Sequence, residues 1–469
     1  MARRRRTTLG LLGMVVILAL VLLLTGGRHR IPGAPPGGVA VEAHSTDPFS
    51  YATSKAVAFT ERAAAGNANV LYAKSPGGVL ATAARVARWR SLIDAAVKGT
   101  GIDPALLEGL VFVESAGRPD VIAGTDVADA AGLTQILAGT ATSLLGMHVD
   151  LARSRSLTRR IDALTGGGGA AARRRARLER ERAAADPRFD PRAELAATVR
   201  YLLDAERTFG REDLAFESYH MGIGNLQSVL RLYDGDHPVP YVQLYFDTAP
   251  TRHAAAFRLL QGFGDDSSLY WWRILGAVQI MRLYRGDRAQ LNREIAWQLA
   301  DLAGGTALHP PGNPPRFGTP SALSVAYRRH VLVPLPRNAS ALGLAYDASL
   351  GASARAASAP RSLYLGLRPV ALHELEAMAN EIRTLSHAAP LRVAATVQDL
   401  RYQRVAGLAQ PLAATGWQFQ IARRYRSRAQ AEAFQELLDR LQSLDLIAWA
   451  RNGGVIDVTV ASDAQSWRG

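Results

Sequence analysis

The residue whose type and setting best suit chemistry is Glu114, near the end of the run Asp103-Pro-Ala-Leu-Leu-Glu-Gly-Leu-Val-Phe-Val-Glu-Ser115. Leu107, Leu110, Val111 and Glu114 recur at i, i+3, i+4 and i+7, the spacing of one helical face. Glu114 therefore falls on the apolar stripe. Burial disfavours the ionised form of a carboxyl group, so a glutamate there is expected to stay protonated near neutral pH and to be ready to donate. A lone carboxyl group on a hydrophobic face is what acid-catalysed cleavage of a sugar bond requires. The helix taken alone also fits an exposed glutamate at a helix end, with Gly117 and Pro119 as stop signals.

The element that must position this acid has clear local signals. Asp103 is a good N-cap, and Pro104 sits at the first helical position, where a missing N–H is harmless. Two later runs add polar side chains: Ala131-Gly-Leu-Thr-Gln-Ile136 and Ser218-Tyr-His-Met-Gly-Ile-Gly-Asn225. Helical patterns precede the second run. Arg192 to Phe209 carries Leu195, Val199, Leu202 and Leu203 on one side, and Arg211 to Met221 brings Leu214, Ala215, Ser218 and Tyr219 onto a face. Gly222 and Gly224 are read as ending that helix and letting backbone approach a ligand.

Glu114-Ser115, Ala131 to Ile136, Ser218 to Gly224 and a late Tyr241-Val242 together resemble the soluble lytic transglycosylase family, the goose-type-lysozyme-like enzymes that cut bacterial peptidoglycan. The likeness covers about residues 90–250 in order and spacing. Thr134 stands where the family has Met, and His220 where it has Asn.

The resemblance implies a mainly α, lysozyme-like catalytic domain acting on the β-1,4 bond from N-acetylmuramic acid to N-acetylglucosamine. Glu114 would protonate the glycosidic oxygen and then act as base on the muramic acid 6-hydroxyl, closing a 1,6-anhydro ring without cofactor. Gln135 and Tyr219 would hold N-acetyl and hydroxyl groups, Tyr241 would hydrogen-bond Glu114, and Ser115 would orient the acid or contact substrate. Gly222 and Asn225 complete the implied substrate-binding set. A hydrolase would want a second carboxylate across the sugar. Asp126 and Asp129 are in place for that, and also read as ordinary loop residues. Tyr219 and Tyr241 also read as half-buried aromatics, and His220 as a helix-end surface histidine. Two alternative functions stand beside the transglycosylase: a non-catalytic peptidoglycan-binding protein and a lysozyme-type hydrolase.

The first residues bear on location. Arg3 to Arg6, within a basic segment 1–8, precede an uncharged, apolar run at 9–25, near the short end of the ~17–25 residues that span a bilayer. The arginines place the N-terminus in the cytoplasm by the positive-inside rule. The following Thr-Gly-Gly-Arg-His-Arg is not an Ala-x-Ala-like cleavage site. A single-pass signal anchor in the cell membrane is expected, with the bulk of the chain extracytoplasmic and residues 26–50 as a Pro/Gly tether. The chain has no cysteine, which excludes disulfides, Fe–S clusters, thiol zinc sites and lipoprotein anchoring. The formal net charge of +14 would ordinarily suggest nucleic acid. Behind a membrane anchor, the expected partners are instead glycan strands, stem peptides, anionic wall polymers and lipid headgroups.

The expected organisation is multidomain. A transglycosylase-like domain spans 51–250, with a basic, helix-prone insertion at 165–187 that reads as a solvated charged helix or a binding patch. A helical extension and Pro/Gly-rich linker cover 251–360, and an α+β domain covers 361–469. Trp271 and Trp272 in the extension read as helix packing or as sugar-stacking surfaces. In the last segment Ser427-x-x-Gln430 is a capping box, and Val455 to Val460 alternates like a strand.

Arg401-Tyr-Gln403, Leu412 to Ile421 and Val455 to Val458 resemble the zinc D,D-carboxypeptidases and endopeptidases of the LAS type, over about 361–463. Carried over residue by residue, the metal ligands are missing. Ala413 stands for the first His, Gln420 for the Asp, and Asp457 for the strand His, while Asn452 lies near the place of the catalytic Glu. Alanine has no ligand atom, and glutamine is a poor zinc ligand. The resemblance therefore implies a degenerate peptidase domain without metal, either still binding stem peptide or serving as a scaffold.

Overall fold

The computed structural model describes residues 51–164, 168–235, 237–264, 266–299 and 314–468. The apolar run 9–25, the tether 26–50 and the first residues of the 165–187 insertion lie outside the described residues. Among the described residues no helix is long and apolar enough to cross a membrane. The molecule is mostly helical, with a small α/β region at its C-terminal end. The described chain divides into two compact units, residues 80–223 with 263–267, and residues 51–79 with 224–262 and 268–468.

The first unit is helical, and two of its helices begin where Asp-Pro pairs cap them. The Asp103 side chain accepts from the Ala105 N–H at 2.8 Å, and the Pro104–Ser115 helix follows. Asp190 likewise accepts from the Arg192 N–H, opening the Pro191–Phe209 helix, which Gly210 ends in left-handed backbone. The Pro104–Ser115 helix is buried almost all round. Leu107, Leu110 and Val111 are inaccessible, and Leu106, Glu108 and Phe112 are buried as well. It is thus a central core helix, wider in its contacts than a single stripe, because the Arg90–Val97 helix packs against it. Pro191–Phe209 packs on Arg90–Val97 and on the Glu212–Met221 helix. Gly222, with φ 91° and ψ 139°, separates Glu212–Met221 from the Ile223–Asp234 helix. Gly222 alone therefore makes the break, and Gly224 lies inside the next helix, with open space where a Cβ would stand.

The basic insertion forms a helical hairpin. Gly169–Ala185 packs on Leu151–Asp162 through Leu157, Ile161, Leu178 and Ala185, while Arg175–Glu179 and Arg177–Glu181 pair at i,i+4 and Arg182 is buried against the Phe189 ring.

The second unit is built on a five-stranded sheet. Two short strands, β1 (Val333–Pro334) and β3 (Gly366–Leu367), pair antiparallel apart from it. The main sheet has strands β2 (Leu344–Tyr346), β4 (Leu391–Ala395), β5 (Gln418–Ala422), β6 (Ile447–Asn452) and β7 (Val455–Val460) in the order β2-β4-β5-β7-β6. The β2–β4 pair is parallel and the others antiparallel. The Arg428–Ser443 helix starts at Ser427, whose Oγ accepts from the Gln430 N–H. It buries Phe434, Leu437, Leu438 and Leu441 completely.

The Ala56–Gly66 helix also belongs to this unit, so the grouping differs from a division at 250 and 361. The reason is packing. Phe59 lies against the rings of Phe246 and Trp467, and Arg62 pairs with Asp463 at 2.8 Å. A Cβ on Gly66 would stand 2.5 Å from the carbonyls of Gln442 and Ser443, so the two helices meet where only glycine fits. Trp271 and Trp272 are both buried, Trp272 among Tyr241, Tyr245 and Phe246, which is helix packing and not a sugar platform. The segment 352–361, expected as a linker, packs Ala354 and Ala357 into a core with Leu323, Tyr364 and Tyr402, because its small side chains let the backbone approach.

Candidate active site

Glu114 is half-buried in the last turn of its helix, between a sealed core and the turn that follows. Ser115 is buried, and its Oγ donates back to the Val111 carbonyl at 3.2 Å. The serine hydroxyl is thus engaged with its own helix. Ala116 then adopts left-handed backbone at φ 55° and ψ 33°, which ends the helix directly behind the acid.

The loop from Ala131 to Ile136 is held closed by reciprocal backbone bonds between those two residues and by the Gly132 N–H to the Val121 carbonyl. Gly132 lies at φ 91°. A side chain there would put Cβ 2.0 Å from the Arg188 carbonyl and about 2.5 Å from the Glu194 carboxylate, so the close approach requires glycine. Beneath the loop, fully buried Glu194 accepts from the Leu133 N–H at 2.6 Å, the Thr134 N–H at 2.8 Å and the Thr134 hydroxyl at 3.0 Å. Thr134 also lies 2.8 Å from the Thr198 hydroxyl. Thr134 is therefore matched by two polar partners on the Pro191–Phe209 helix. Desolvation pushes the Glu194 carboxyl up to about 8, against the opposing pull of the loop donors and of Arg188.

Arg188 fastens the same loop from the other side. It is wholly buried, pairs with Asp186 at 2.7 Å, and donates to the carbonyls of Val127, Asp129 and Ile136. A buried guanidinium is tolerable here because its donors meet a carboxylate and three carbonyls.

Gln135 has left-handed backbone at φ 56°. Its amide nitrogen donates to the carbonyls of Gly132 at 2.7 Å and Val121 at 3.2 Å. The amide oxygen is left as the end able to accept a donor such as an acetamido N–H. Tyr219 donates its hydroxyl to the Thr134 carbonyl at 2.9 Å and lies edge-on to the Tyr201 ring. Its pKa is raised, first by burial and then by the negative charge of Glu114. Glu114, the Gln135 loop and Tyr219 thus belong to one unit, and the acid's field reaches the tyrosine that holds the loop.

The remaining expected residues are distributed differently. His220 is half-buried, with Nδ1 2.9 Å from the Ser267 hydroxyl. Asn225 is exposed on Ile223–Asp234, and Tyr241 is fully buried with its hydroxyl donated to the Ser268 carbonyl at 2.7 Å. Both belong to the second unit. Asp126 and Asp129 serve the loop. Asp126 binds Arg155 through both oxygens and caps the Ala128 N–H, and these bonds lower its pKa to about 2. Asp129 accepts from the Asp126 N–H at 3.3 Å.

In the second unit, Gln420 on β5 and Asp457 on β7 are direct cross-strand partners. The Gln420 amide donates to Asp457 at 2.7 Å, and Asn452 donates to its other oxygen at 3.2 Å. Ala413 is buried in a short 3₁₀ turn, Ala413–Thr415. Among the described residues no three His, Cys, Asp or Glu side chains cluster as a metal site would require.

Glu194, Thr198 and Arg188 escaped the reading of the sequence. The signal was present, since Glu194, Thr198 and Tyr201 share the i, i+4, i+7 spacing that drew attention to Glu114. Comparison with family models, with characterised proteins and with solved structures finds no match to this chain.

Proposed function

We propose that this protein is a membrane-anchored lytic transglycosylase that cleaves the β-1,4 bond from N-acetylmuramic acid to N-acetylglucosamine and leaves a 1,6-anhydro end. The observation that carries the reading is that the half-buried Glu114, the Gln135 loop and Tyr219 share one unit, with the Tyr219 hydroxyl donated to the Thr134 carbonyl of that loop. Glu114 donates its proton to the glycosidic oxygen as the bond breaks. The resulting carboxylate takes the proton of the muramic acid 6-hydroxyl, whose oxygen closes on the anomeric carbon. The carboxyl group is restored as the ring forms, so one residue suffices as acid and then base. The free amide oxygen of Gln135 accepts from the substrate. The engagement of Asp126 with Arg155 and of Asp129 with the loop supports this route over a two-carboxylate hydrolysis.

The anchor rests on Arg3 to Arg6 and the apolar run 9–25, and extraction of membranes at alkaline pH tests it, because an anchored chain stays in the pellet. For the second unit we propose a metal-free scaffold or peptide-binding role, supported by the two amides that occupy Asp457.

The deciding experiment is mass spectrometry of purified peptidoglycan digested by wild type and by Glu114→Gln. Anhydro-muropeptides from wild type alone support the proposal. A reducing muramic acid end would instead identify a lysozyme-type hydrolase, and absence of product from both proteins would point to a wall-binding protein.

A further inference from the structure

The turn that follows Ser115 borders a pocket of about 390 Å³ in the first unit. The end of the Val79–Ala87 helix and the residues after it contribute Arg85, Arg88 and Trp89. The opposite wall carries Arg118 and Pro119, with Asp120 at the rim. Three guanidinium groups thus meet one carboxylate, and the charge of Asp120 also bears on Arg182. Among the described residues Arg88 has no ion-pair partner, and Arg118 is bound only through Nε, to the Ser115 carbonyl at 3.0 Å. Arg85 spends Nε on the Ala116 carbonyl and one terminal nitrogen on the Thr82 hydroxyl. Its pKa is lowered by burial and then by the positive charges of Arg118 and Arg88. Like charges so close make the pocket a place where an anion is stabilised.

The Trp89 and Gly117 sides of the pocket are fixed in advance. The Trp89 indole N–H donates to the Gly117 carbonyl at 2.9 Å. Gly117, at φ 74°, lies so close to the Val79–Ala87 helix that a Cβ would stand 2.8 Å from the Val86 nitrogen. The Trp89 ring and Pro119 give the pocket an apolar side beside its cationic one. A planar carboxylate is matched by forked guanidinium donors, and the apolar side suits a small aliphatic residue next to that carboxylate. Inorganic phosphate, hydrated on every side, makes poorer use of the apolar wall.

We propose that this pocket binds the carboxylate end of a short peptide with a small apolar side chain and that, given the transglycosylase reading on which this part rests, the natural ligand is a stem-peptide carboxylate of peptidoglycan. The site would tether substituted strands at the turn directly behind the acid.

The test is calorimetric titration of the full-length protein in detergent with N-acetyl-D-alanyl-D-alanine, with its C-terminal amide, and with inorganic phosphate. The free acid is expected to bind at least about tenfold more tightly than the amide, the difference made by losing one charge-assisted contact. Arg88→Gln should weaken the acid by about tenfold while leaving the amide and the melting temperature unchanged, and Arg88→Lys should restore part of the loss. Arg118→Gln should act in the same direction. The proposal is overturned if acid and amide bind alike, if phosphate binds more tightly than the peptide acid, or if Arg88→Gln leaves the acid's affinity untouched. Glu114→Gln should retain full peptide binding, so failure of the cleavage reading and failure of this pocket are separately visible.

Discussion

Two buried carboxylates, one in each unit, are held in opposite ways. Among the described residues Glu194 accepts from the loop it supports, two backbone N–H groups and the Thr134 hydroxyl, and so fixes the conformation of Leu133 and Thr134 beside Gln135. Asp457 accepts from two side-chain amides, Gln420 and Asn452, on its neighbouring strands. The first arrangement ties a carboxylate to main chain whose shape the proposed chemistry needs. The second closes a polar site on itself. A buried acid is thus informative through its donors: backbone donors mark a positioned loop, amide donors a sealed sheet.

That contrast can be broken by substitution. The largest expected effect is at the acid itself, where Glu114→Gln should lower anhydro-muropeptide release by roughly 10²–10⁴-fold, the usual contribution of a general acid, with an unchanged thermal midpoint. Next comes Glu194→Gln, which sets an NH₂ group against one of the loop donors. We expect destabilisation of about 1–3 kcal/mol, the cost of a buried unsatisfied donor, together with a loss of cleavage, seen in denaturant melts and product yield. If stability fell and cleavage did not, the loop would have no part in the site. Asp457→Asn keeps one acceptor and should cost about 1–2 kcal/mol while leaving glycan cleavage at the wild-type rate.

The pH dependence of stability tests Glu194 separately. Glu194 is raised in the fold, to about 8, from the ordinary glutamate range near 4.5. The folded state therefore holds its proton more tightly than the unfolded chain between those values. Its contribution to stability is complete below the unfolded pKa and is lost as pH rises through 8. Unfolding measured from pH 5 to 9 should show this decline in wild type, and a flatter profile in Glu194→Gln. The smallest effect is expected at Ala116, where left-handed backbone disfavours a side chain. Ala116→Gly should raise stability by about 0.5–1 kcal/mol, read as a higher denaturant midpoint.

How much of this was legible in the sequence depends on range. Asp103 and Ser427 announce helix starts that the structure reproduces, because capping is settled within a few residues. The apolar spacing around Glu114 also survives, although the helix is buried on more faces than the stripe requires, since helices from elsewhere in the chain surround it. Glu194 was missed for the opposite reason. Its partners, Leu133 and Thr134, lie some sixty residues earlier, and no local pattern tells which loop a buried acid will meet. The grouping of 56–66 with the sheet was equally invisible, for Phe59 reads as an ordinary apolar residue until Phe246 and Trp467 are placed beside it. Thr134 is instructive, because its polar side chain finds its partners in Glu194 and Thr198, some sixty residues later in the chain.

The contact of the Ala56–Gly66 helix with the Arg428–Ser443 helix and Trp467 sets an order of events during synthesis. Residues 80–223 form their unit with 263–267, so that unit can be complete once residue 267 has emerged. Phe59 and Gly66 must wait for more than three hundred further residues, on the order of tens of seconds at about 5–20 residues per second. The acid-bearing unit can therefore be complete first, and the other unit closes last, with the Ala56–Gly66 helix waiting in between.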